Sequence, residues 1–253
     1  WVTSKLWNTY HHPSHVPMAL QRTLEDLQLE YLDLYLIHFP IALEFIDFEE
    51  RYPSEWFFEP EASNPAMKLA KIPLADTWHA MEELKVNKKV KHIGICNYST
   101  GLLNDLMNYC QIPPELLQIE SHPYLSQENL IRLAKQHGLE VTAFSPLGSL
   151  SYVELEMAEQ SESILDQSVV KEIAKRLNCS PVQVVLRWGT QRGTSVLAKS
   201  ISAERMAENL ASNNIELTPK DMVAISNLNR NRRFNDPGDF CEGAFNTFHP
   251  IYD

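Results

Sequence analysis

The sequence predicts an α/β fold built on a parallel β-sheet. Short apolar runs rich in β-branched residues alternate with amphipathic helical patterns from one end of the chain to the other. Such alternation is typical of βαβ units, in which each helix crosses back over the sheet with a right-handed connection. The sequence shows no internal repeat and no low-complexity linker, so we expect one domain over residues 1–253.

The individual elements follow from hydrophobic periodicity and from local end signals. The predicted strands are Val2–Leu6, Tyr31–Ile37, Val90–Ile95, Leu116–Glu120, Glu140–Phe144 and Ser195–Ala198. The predicted helices lie near Val16–Leu27, Leu74–Val86, Gly101–Tyr109, Gln127–His137, Val169–Leu177, Pro181–Thr190, Ala203–Leu210 and Pro219–Leu228. Ser180 before Pro181, and Thr218 before Pro219, each combine a capping side chain with proline at the first helical position.

Two long stretches lack these patterns and are predicted to be irregular. They are Phe39–Ile72 and the tail Arg230–Asp253, and both are rich in aromatic residues. Long loops in compact domains are often functional, so these segments could face a substrate. They could equally be covers packed on the outside of the core.

Composition limits the class of protein. The chain has a formal net charge of -11, with 44% hydrophobic and 22% charged residues, which is ordinary for a globular protein. The negative charge argues against nucleic acid or an anionic membrane surface as the main partner. No apolar run reaches the ~20 residues that span a bilayer, and no signal peptide is visible. We expect a cytoplasmic protein, a monomer or a homodimer, with a small-molecule partner.

The cysteines and histidines do not predict a metal site. The cysteines lie far apart without paired spacing, so free thiols are expected. They are Cys96, Cys110, Cys179 and Cys241. His11, His12 and His15 are close in sequence, but they lie in a proline-containing stretch without a nearby carboxylate, which favours an exposed loop.

Parallel sheets occur as open sheets or as closed eight-stranded barrels, and two features favour the barrel. An open dinucleotide-binding sheet carries G-x-G-x-x-G after its first strand, and this chain has eight glycines and no such motif. The predicted strands also end at polar residues, which in a barrel would meet at one mouth. These are Lys5, His38, Asn97, Gln118 with Ser121 and His122, Ser145, and Lys199 with Ser200. The chain contains only six predicted βα units, whereas a barrel has eight.

The motifs at these strand ends resemble those of the aldo-keto reductase family, (β/α)8 TIM barrels that reduce carbonyls with a nicotinamide cofactor. The matching tracts, in family order, are Thr3-Ser-Lys-Leu-Trp7, Asp33-Leu-Tyr-Leu-Ile-His-Phe-Pro40, Ile93-Gly-Ile-Cys-Asn-Tyr98, Leu117-Gln-Ile-Glu-Ser-His-Pro-Tyr124, Phe144-Ser-Pro-Leu-Gly148, and Ala198-Lys-Ser200 followed by Arg205 and Asn209. Ile41–Tyr52 and Arg233–Pro237 are most similar to xylose reductases and related aldose reductases. The resemblance implies six barrel units here, with the first two, ~60–80 residues, preceding Trp1.

The resemblance implies a set of residues that delivers a proton during carbonyl reduction. Hydride would pass from the nicotinamide to the carbonyl carbon, and the oxygen would then need a proton. The family uses a tyrosine as the acid, with its pKa lowered by a lysine that pairs with an aspartate, and a histidine that orients the carbonyl. Lys5 matches the lysine and His38 the histidine, whereas the tyrosine and aspartate are expected before Trp1. Tyr10, in the loop after Lys5, is not taken as the acid.

The cofactor residues carry over position by position and imply a preference for NADPH, with possible use of NADH as well. Asn97 and Gln118 match side chains that bind the nicotinamide carboxamide, and Phe144 matches an aromatic residue that stacks on the ring. Arg205 favours a 2′-phosphate, because a guanidinium binds phosphate oxygens in a bidentate manner. Glu154 matches a glutamate that accepts the ribose hydroxyls of NADH. The pyrophosphate loop and the adenosine site supply Ser145, Leu147, Ser149, Lys199, Ser200 and Asn209.

The substrate is expected against Phe39, Trp56, Phe57 and Asn235, together with the tail. A lining of aromatic and amide groups suits a sugar or another polar aldehyde, so the expected activity is aldose or aldehyde reduction. The alternative is a catalytically inactive nucleotide-binding or structural paralogue that lacks the tyrosine acid. Turnover separates these two hypotheses, whereas cofactor binding does not.

Overall fold

The computed structural model describes residues 1–252, and within that range it contains six strands and nine α-helices. The strands are β1 (Thr3–Leu6), β2 (Leu32–Ile37), β3 (Val90–Cys96), β4 (Leu116–Glu120), β5 (Glu140–Phe144) and β6 (Ser195–Leu197). The helices are α1 (Val16–Leu27), α2 (Leu74–Val86), α3 (Thr100–Tyr109), α4 (Glu128–Gln136), α5 (Ser168–Leu177), α6 (Pro181–Gln191), α7 (Ala203–Ala211), α8 (Pro219–Ser226) and α9 (Pro237–Phe245).

Contacts divide the chain into two compact units. The first unit comprises Trp1–Leu117 and the C-terminal segment that begins at Asp236, and the second comprises Gln118–Asn235. Each unit carries its own cluster of buried apolar side chains. The single domain expected from the sequence stays a prediction.

The predicted alternation of strands and helices is confirmed. Every predicted strand and helix is present, and the ends differ from the predicted ones by no more than about two residues, as is usual for helix and strand ends. The stretch Phe39–Ile72 is irregular as predicted, apart from an isolated antiparallel bridge between Leu43 and Leu69.

The prediction of an irregular tail is wrong over α9. This helix begins with Pro237 at its first position, and the Asp236 side chain accepts a hydrogen bond from the Gly238 amide at 2.8 Å. Cys241 on α9 is fully buried and packs in a cluster with Phe39 and Ile41. The helix is therefore stabilised mainly by tertiary packing, which local periodicity does not report.

In the first unit, β1, β2 and β3 pair in parallel in that order. Lys5 lies opposite Leu36, and Leu36 lies opposite Gly94. A Cβ atom on Gly94 would lie 2.4 Å from the Leu116 carbonyl oxygen and 2.7 Å from Leu36 Cδ2, so no side chain fits there. The close packing at Gly94 keeps the ends of these strands in a tight layer.

The helices of the first unit follow the amphipathic pattern from which they were predicted. Helix α1 buries Val16, Ala19, Leu20 and Leu24, which recur at helical spacing and therefore share one face. Full burial of a valine or leucine side chain contributes roughly 1.5–3 kcal/mol to the free energy of unfolding. Of the polar residues of α1, Gln21, Glu25 and Asp26 are exposed to solvent, whereas Arg22 and Thr23 are half-buried.

In the second unit, β5 and β6 pair in parallel, with Phe144 opposite Leu197. This register places Ser145 and Lys199 just beyond the ends of neighbouring strands. Helices α6 and α8 both start with the predicted capping residue, and in each a capping box is formed, by Ser180 with Gln183 and by Thr218 with Asp221.

The histidine segment after β1 differs from the predicted exposed loop. His12 is exposed, but His11 is fully buried, and the Thr77 hydroxyl on α2 donates to its carbonyl oxygen at 2.8 Å. A short 3-10 helix, Asn8–Tyr10, turns the chain inward just before His11. Burial lowers the pKa of His11 to about 3, so this imidazole is neutral at physiological pH.

Other global features bear on the sequence predictions. All four cysteines are free thiols. Within residues 1–252, no three His, Cys, Asp or Glu side chains are grouped closely enough to hold a metal ion. No helix in the same range combines the length and the apolar character needed to cross a membrane.

Candidate active site

Lys5 lies near the carboxyl end of β1 and is half-buried. Its side chain borders a cavity of about 220 Å³ in the first unit, together with the phenol rings of Tyr10, Tyr35 and Tyr52. Burial raises the pKa of Tyr35 and also that of Tyr52. A raised pKa is the opposite of what the reduction mechanism requires of its acid, so the structure favours neither phenol for that role.

His38 directly follows β2 and is held among aromatic rings. Its ring centroid lies 5.0 Å from that of Phe39 and 5.3 Å from that of Trp7. Burial, and then the neighbouring positive charge of Lys5, lower the pKa of His38 to about 4. The imidazole is therefore neutral at physiological pH, and a neutral imidazole can donate one N–H to a carbonyl oxygen.

Asn97 directly follows β3 and connects neighbouring strand ends. Its backbone adopts the left-handed conformation, with φ of 63°, which asparagine tolerates better than most residues. Asn97 Nδ2 donates to the His38 carbonyl oxygen at 2.7 Å, and the Tyr252 hydroxyl donates to the Asn97 carbonyl oxygen at 3.3 Å. The structure thus brings Lys5, His38 and Asn97 to adjacent strand ends in the first unit, and we refer to them as the strand-end trio.

The predicted substrate residues of the first unit belong to one group of rings, which we call the aromatic cluster. Trp56 is its centre, with ring centroids 4.9 Å from Trp7, 5.4 Å from Phe39 and 5.6 Å from Phe245. Phe57 lies 5.0 Å from Phe245 in an edge-to-face arrangement. Tail residues therefore pack directly against the predicted substrate residues.

In the second unit, Tyr152 links the predicted pyrophosphate loop to the predicted substrate residue Asn235. The Tyr152 hydroxyl lies 2.8 Å from Ser145 Oγ, and Asn235 Nδ2 donates to it at 3.3 Å. Asn235 Oδ1 is buried without a hydrogen-bond partner, so this oxygen is free to accept a hydrogen bond. Ser149 is also buried, and its hydroxyl donates to the Glu162 carbonyl oxygen at 3.1 Å.

The other predicted cofactor residues of the second unit differ in their burial. Gln118 on β4 is buried, Phe144 at the end of β5 is half-buried, and Leu147 packs against the core of the second unit. Glu154 is exposed.

A fully buried carboxylate, which the sequence did not single out, fixes the end of the second unit. Glu120 Oε1 accepts a hydrogen bond from the Phe234 amide at 2.8 Å, and Oε2 accepts one from the Asn235 amide at 2.9 Å. His122 Nε2 lies 2.9 Å from Glu120 Oε1, and both side chains are inaccessible to solvent. Each oxygen of the buried carboxylate therefore has a partner, as burial requires.

The predicted adenosine residues lie in an open part of the second unit, Lys199–Asn209, which we call the adenosine segment. Lys199 and Arg205 are exposed, and within residues 1–252 neither side chain forms an ion pair or a hydrogen bond. Helix α7, which carries Arg205, buries none of its residues, and Ser202 caps it by accepting from the Arg205 amide at 3.3 Å. Lys199 and Arg205 thus leave two exposed positive charges in the segment that contains the capped start of α7.

Three residues near the predicted sites were missed by sequence reasoning. Trp7 ends the first matching motif, Glu120 lies within the fourth, and Tyr152 precedes Glu154 by two positions. The motifs contained Trp7 and Glu120, but their roles depend on partners that are distant in sequence, Trp56 and Asn235. Only the fold reveals these pairs.

Comparison with known proteins places the chain in a family. The sequence profile described as the aldo/keto reductase family matches residues 1–230. The chain belongs to the aldo/keto reductase family. It is 44% identical over 252 residues to the NAD(P)H-dependent D-xylose reductase of Kluyveromyces lactis, covering 98% of this chain and 76% of that protein. It is 42% identical to the NADPH-dependent aldose reductase of Saccharomyces cerevisiae, covering 98% of this chain and 77% of that protein.

Solved structures of this family share the fold. The aldose reductase of Giardia lamblia superimposes with a TM-score of 0.83 at 36% identity, covering all of this chain and 78% of that one. The aldose reductase of Schistosoma japonicum gives a TM-score of 0.82 at 33% identity, covering 98% of this chain and 74% of that one. The predicted α/β class of aldo-keto reductase type is thereby confirmed, with six strands of the barrel in the described range.

Proposed function

We propose that this protein reduces the carbonyl group of an aldose or a related aldehyde to an alcohol, with NADPH as the hydride donor. One observation carries the proposal. Lys5 and His38 lie at neighbouring strand ends, where burial and then the positive charge of Lys5 lower the pKa of His38 and keep its imidazole neutral. The names of relatives that share more than two fifths of the sequence, a D-xylose reductase and an aldose reductase, support the same chemistry.

The residues of the strand-end trio have separate roles in this proposal. The bound cofactor supplies the hydride. His38 donates its N–H to the substrate carbonyl and orients it, and a neutral donor aimed at a developing alkoxide contributes a few kcal/mol. Lys5 places a positive charge where a neighbouring phenol would be favoured as phenolate, which lowers the pKa of that acid. Asn97 Nδ2 donates to the His38 carbonyl oxygen at 2.7 Å, and the Asn97 side chain would also bind the nicotinamide carboxamide.

Cofactor preference is assigned to the adenosine segment. Arg205 has no partner within the described chain and would bind the 2′-phosphate of NADPH, with Lys199, Ser200 and Asn209 around the same nucleotide. Glu154 would accept the ribose hydroxyls of NADH, so weaker use of NADH is expected. Gln118, Phe144, Ser145, Leu147 and Ser149 would complete the nicotinamide and pyrophosphate contacts.

The proposed substrate residues are the aromatic cluster of the first unit and, in the second unit, Asn235. Phe39, Trp56 and Phe57 supply apolar ring faces, and Asn235 supplies an amide with a free acceptor oxygen. Sugars stack their C–H faces on aromatic rings and hydrogen-bond to amides, so an aldose matches this combination. The four free cysteines favour the cytoplasm as the compartment, and a monomer or a homodimer is proposed.

The test is the rate of NADPH oxidation with D-xylose, and separately with an aromatic aldehyde. We expect turnover with both, and a higher kcat/KM with NADPH than with NADH. Binding of NADPH, measured by nicotinamide fluorescence, serves as the control for a folded cofactor site. Tight NADPH binding without reduction of either aldehyde would overturn the proposal and would instead identify a nucleotide-binding protein.

A further inference from the structure

One arginine side chain organises the loop that carries Trp56 and Phe57. Arg51 Nε donates to the Ser54 carbonyl oxygen at 3.1 Å, and Arg51 Nη2 donates to the same oxygen at 2.9 Å. Nη2 also donates to the carbonyl oxygens of Phe57 and Phe58, the latter at 3.4 Å. Three backbone carbonyls of one loop thus converge on one guanidinium.

This convergence replaces regular secondary structure in the loop. Residues 54–58 belong to no helix or strand, so their carbonyl groups need donors from elsewhere. A guanidinium presents several N–H groups in a fixed plane, whereas a lysine ammonium is a single point that cannot reach all three oxygens in that geometry. Within residues 1–252, Arg51 forms no ion pair. Its guanidinium instead donates hydrogen bonds to the backbone carbonyl oxygens of this loop.

Two further contacts attach the same loop to the chain just after Lys5. The hydroxyls of Thr9 and Ser54 lie 2.8 Å apart in a buried position, and Trp7 Nε1 donates to the Glu55 carbonyl oxygen at 2.9 Å. Ser54 also borders the cavity that Lys5 lines. Arg51 therefore shapes a loop that Thr9 and Trp7 attach to the segment after Lys5, and Trp56 of this loop packs against the ring of the same Trp7.

We propose that Arg51 is a positioning residue for the substrate, acting through the backbone of Ser54–Phe58 to hold Trp56 and Phe57 in the aromatic cluster. This inference rests on the proposed function, because it takes Trp56 and Phe57 as substrate contacts. It assigns Arg51 no contact with substrate or cofactor. Loss of the guanidinium leaves the loop carbonyls without these donors, so the loop shifts and Trp56 and Phe57 lose their packing against Phe245.

The test compares Arg51→Met and Arg51→Lys with the unaltered protein. For Arg51→Met we expect the KM for D-xylose to rise about tenfold or more, since small displacements of substrate-contacting groups are costly, while kcat stays within about threefold. The dissociation constant of NADPH should stay within about twofold, because the nucleotide residues do not bond to this loop. Arg51→Lys should restore less than half of the loss, because charge alone does not replace the planar set of donors. Arg132→Met, which removes an exposed guanidinium on α4, is the matched control and should leave KM unchanged.

A second readout does not depend on turnover. Acrylamide quenching of Trp56, obtained as the difference from a Trp56→Phe protein, should increase about twofold in Arg51→Met, because the loosened loop admits the quencher. Unchanged quenching together with an unchanged KM would overturn the inference. Absence of turnover in the unaltered protein would overturn the proposed function instead, and quenching alone would then decide whether Arg51 positions Trp56. If Arg51→Met does not fold, Arg51→Lys is judged by the same two measurements, and values equal to those of the unaltered protein refute the inference.

Discussion

The strand-end trio and the adenosine segment differ in how much of their arrangement is fixed before any ligand binds. In the first unit, His38 is packed between rings, Asn97 is bonded to its backbone, and Lys5 acts on it electrostatically. In the second unit, Lys199 and Arg205 extend into solvent from a segment whose helix buries none of its residues.

This difference separates two tasks of a reductase. Groups that stabilise developing charge act best when they are already oriented, because no reorganisation is then needed during the reaction. Groups that hold a phosphate can order as the ligand arrives, at a cost of about 0.5–1.5 kcal/mol per immobilised side chain. We therefore expect substitutions in the strand-end trio to affect turnover, and substitutions in the adenosine segment to affect cofactor affinity.

The largest expected effect is that of Lys5→Met. Without the ammonium group the neighbouring acid is no longer favoured in its ionised form, and kcat should fall about 1000-fold, within the usual range for proton-transfer groups. The dissociation constant of NADPH should stay within about threefold. Steady-state kinetics and a fluorescence titration measure the two values. Lys91→Met, which removes an exposed lysine bonded to Asp33, is the control and should keep normal turnover. A tenfold loss of NADPH affinity in Lys5→Met would show that the two tasks are not separated as proposed.

An intermediate effect is expected on stability in acid. The pKa of folded His38 is about 4, below the usual value of 6.5, so the unfolded chain takes up a proton first as the pH falls. Above pH 6.5 the free energy of unfolding should therefore not depend on His38. Between pH 6.5 and about pH 4 it should decrease, by at most about 3 kcal/mol. His11, with a pKa of about 3, acts in the same direction.

Urea unfolding at several pH values measures this dependence. His38→Gln should flatten the curve, because glutamine does not titrate, whereas His12→Gln, at an exposed position, should leave the slope unchanged. An unaltered slope in His38→Gln would mean that His38 is not the preorganised neutral group described above.

The smallest expected effect is that of Arg205→Met. Loss of a charge-assisted contact to the 2′-phosphate should weaken NADPH binding about 10- to 100-fold and leave NADH binding unchanged. Arg205→Lys should retain part of the affinity, because an ammonium is a weaker match to phosphate oxygens. An equal loss of affinity for NADPH and NADH would mean that Arg205 contacts a part of the nucleotide that both cofactors share, and not the 2′-phosphate. A fall in kcat at saturating NADPH would show that the open region also contributes to turnover.

The fold was largely predictable because its signals are local. Alternating apolar runs set the strands, and caps such as Ser180 and Thr218 set helix starts, so both could be read from a few neighbouring residues. Helix α9 was missed although Asp236 before Pro237 is a start signal of the same kind, because Gly238 and Gly243 disfavour a helix and its packing partners Phe39 and Ile41 lie far away in sequence. His11 was missed for a related reason, since burial of a polar ring is decided by its surroundings and not by its own polarity.

The site was predictable to a similar extent. Lys5, His38 and Asn97 each end a strand, and a parallel sheet brings such ends together, so their proximity followed from topology. Trp7 and Tyr152 were not predicted, since their partners are reached only through irregular loops. The role of Arg51 was not predicted either, because nothing in the surrounding sequence indicates that one side chain donates hydrogen bonds to three backbone carbonyl oxygens.

The buried carboxylate of Glu120 has a consequence for how substrate preference can change over evolution. It binds the main-chain N–H groups of Phe234 and Asn235, and every residue except proline has such a group. These two hydrogen bonds thus do not depend on which side chains stand at positions 234 and 235. If Asn235 contacts the substrate as proposed, a single substitution at position 235 would change the group offered to the substrate and keep the hydrogen bonds that hold its backbone.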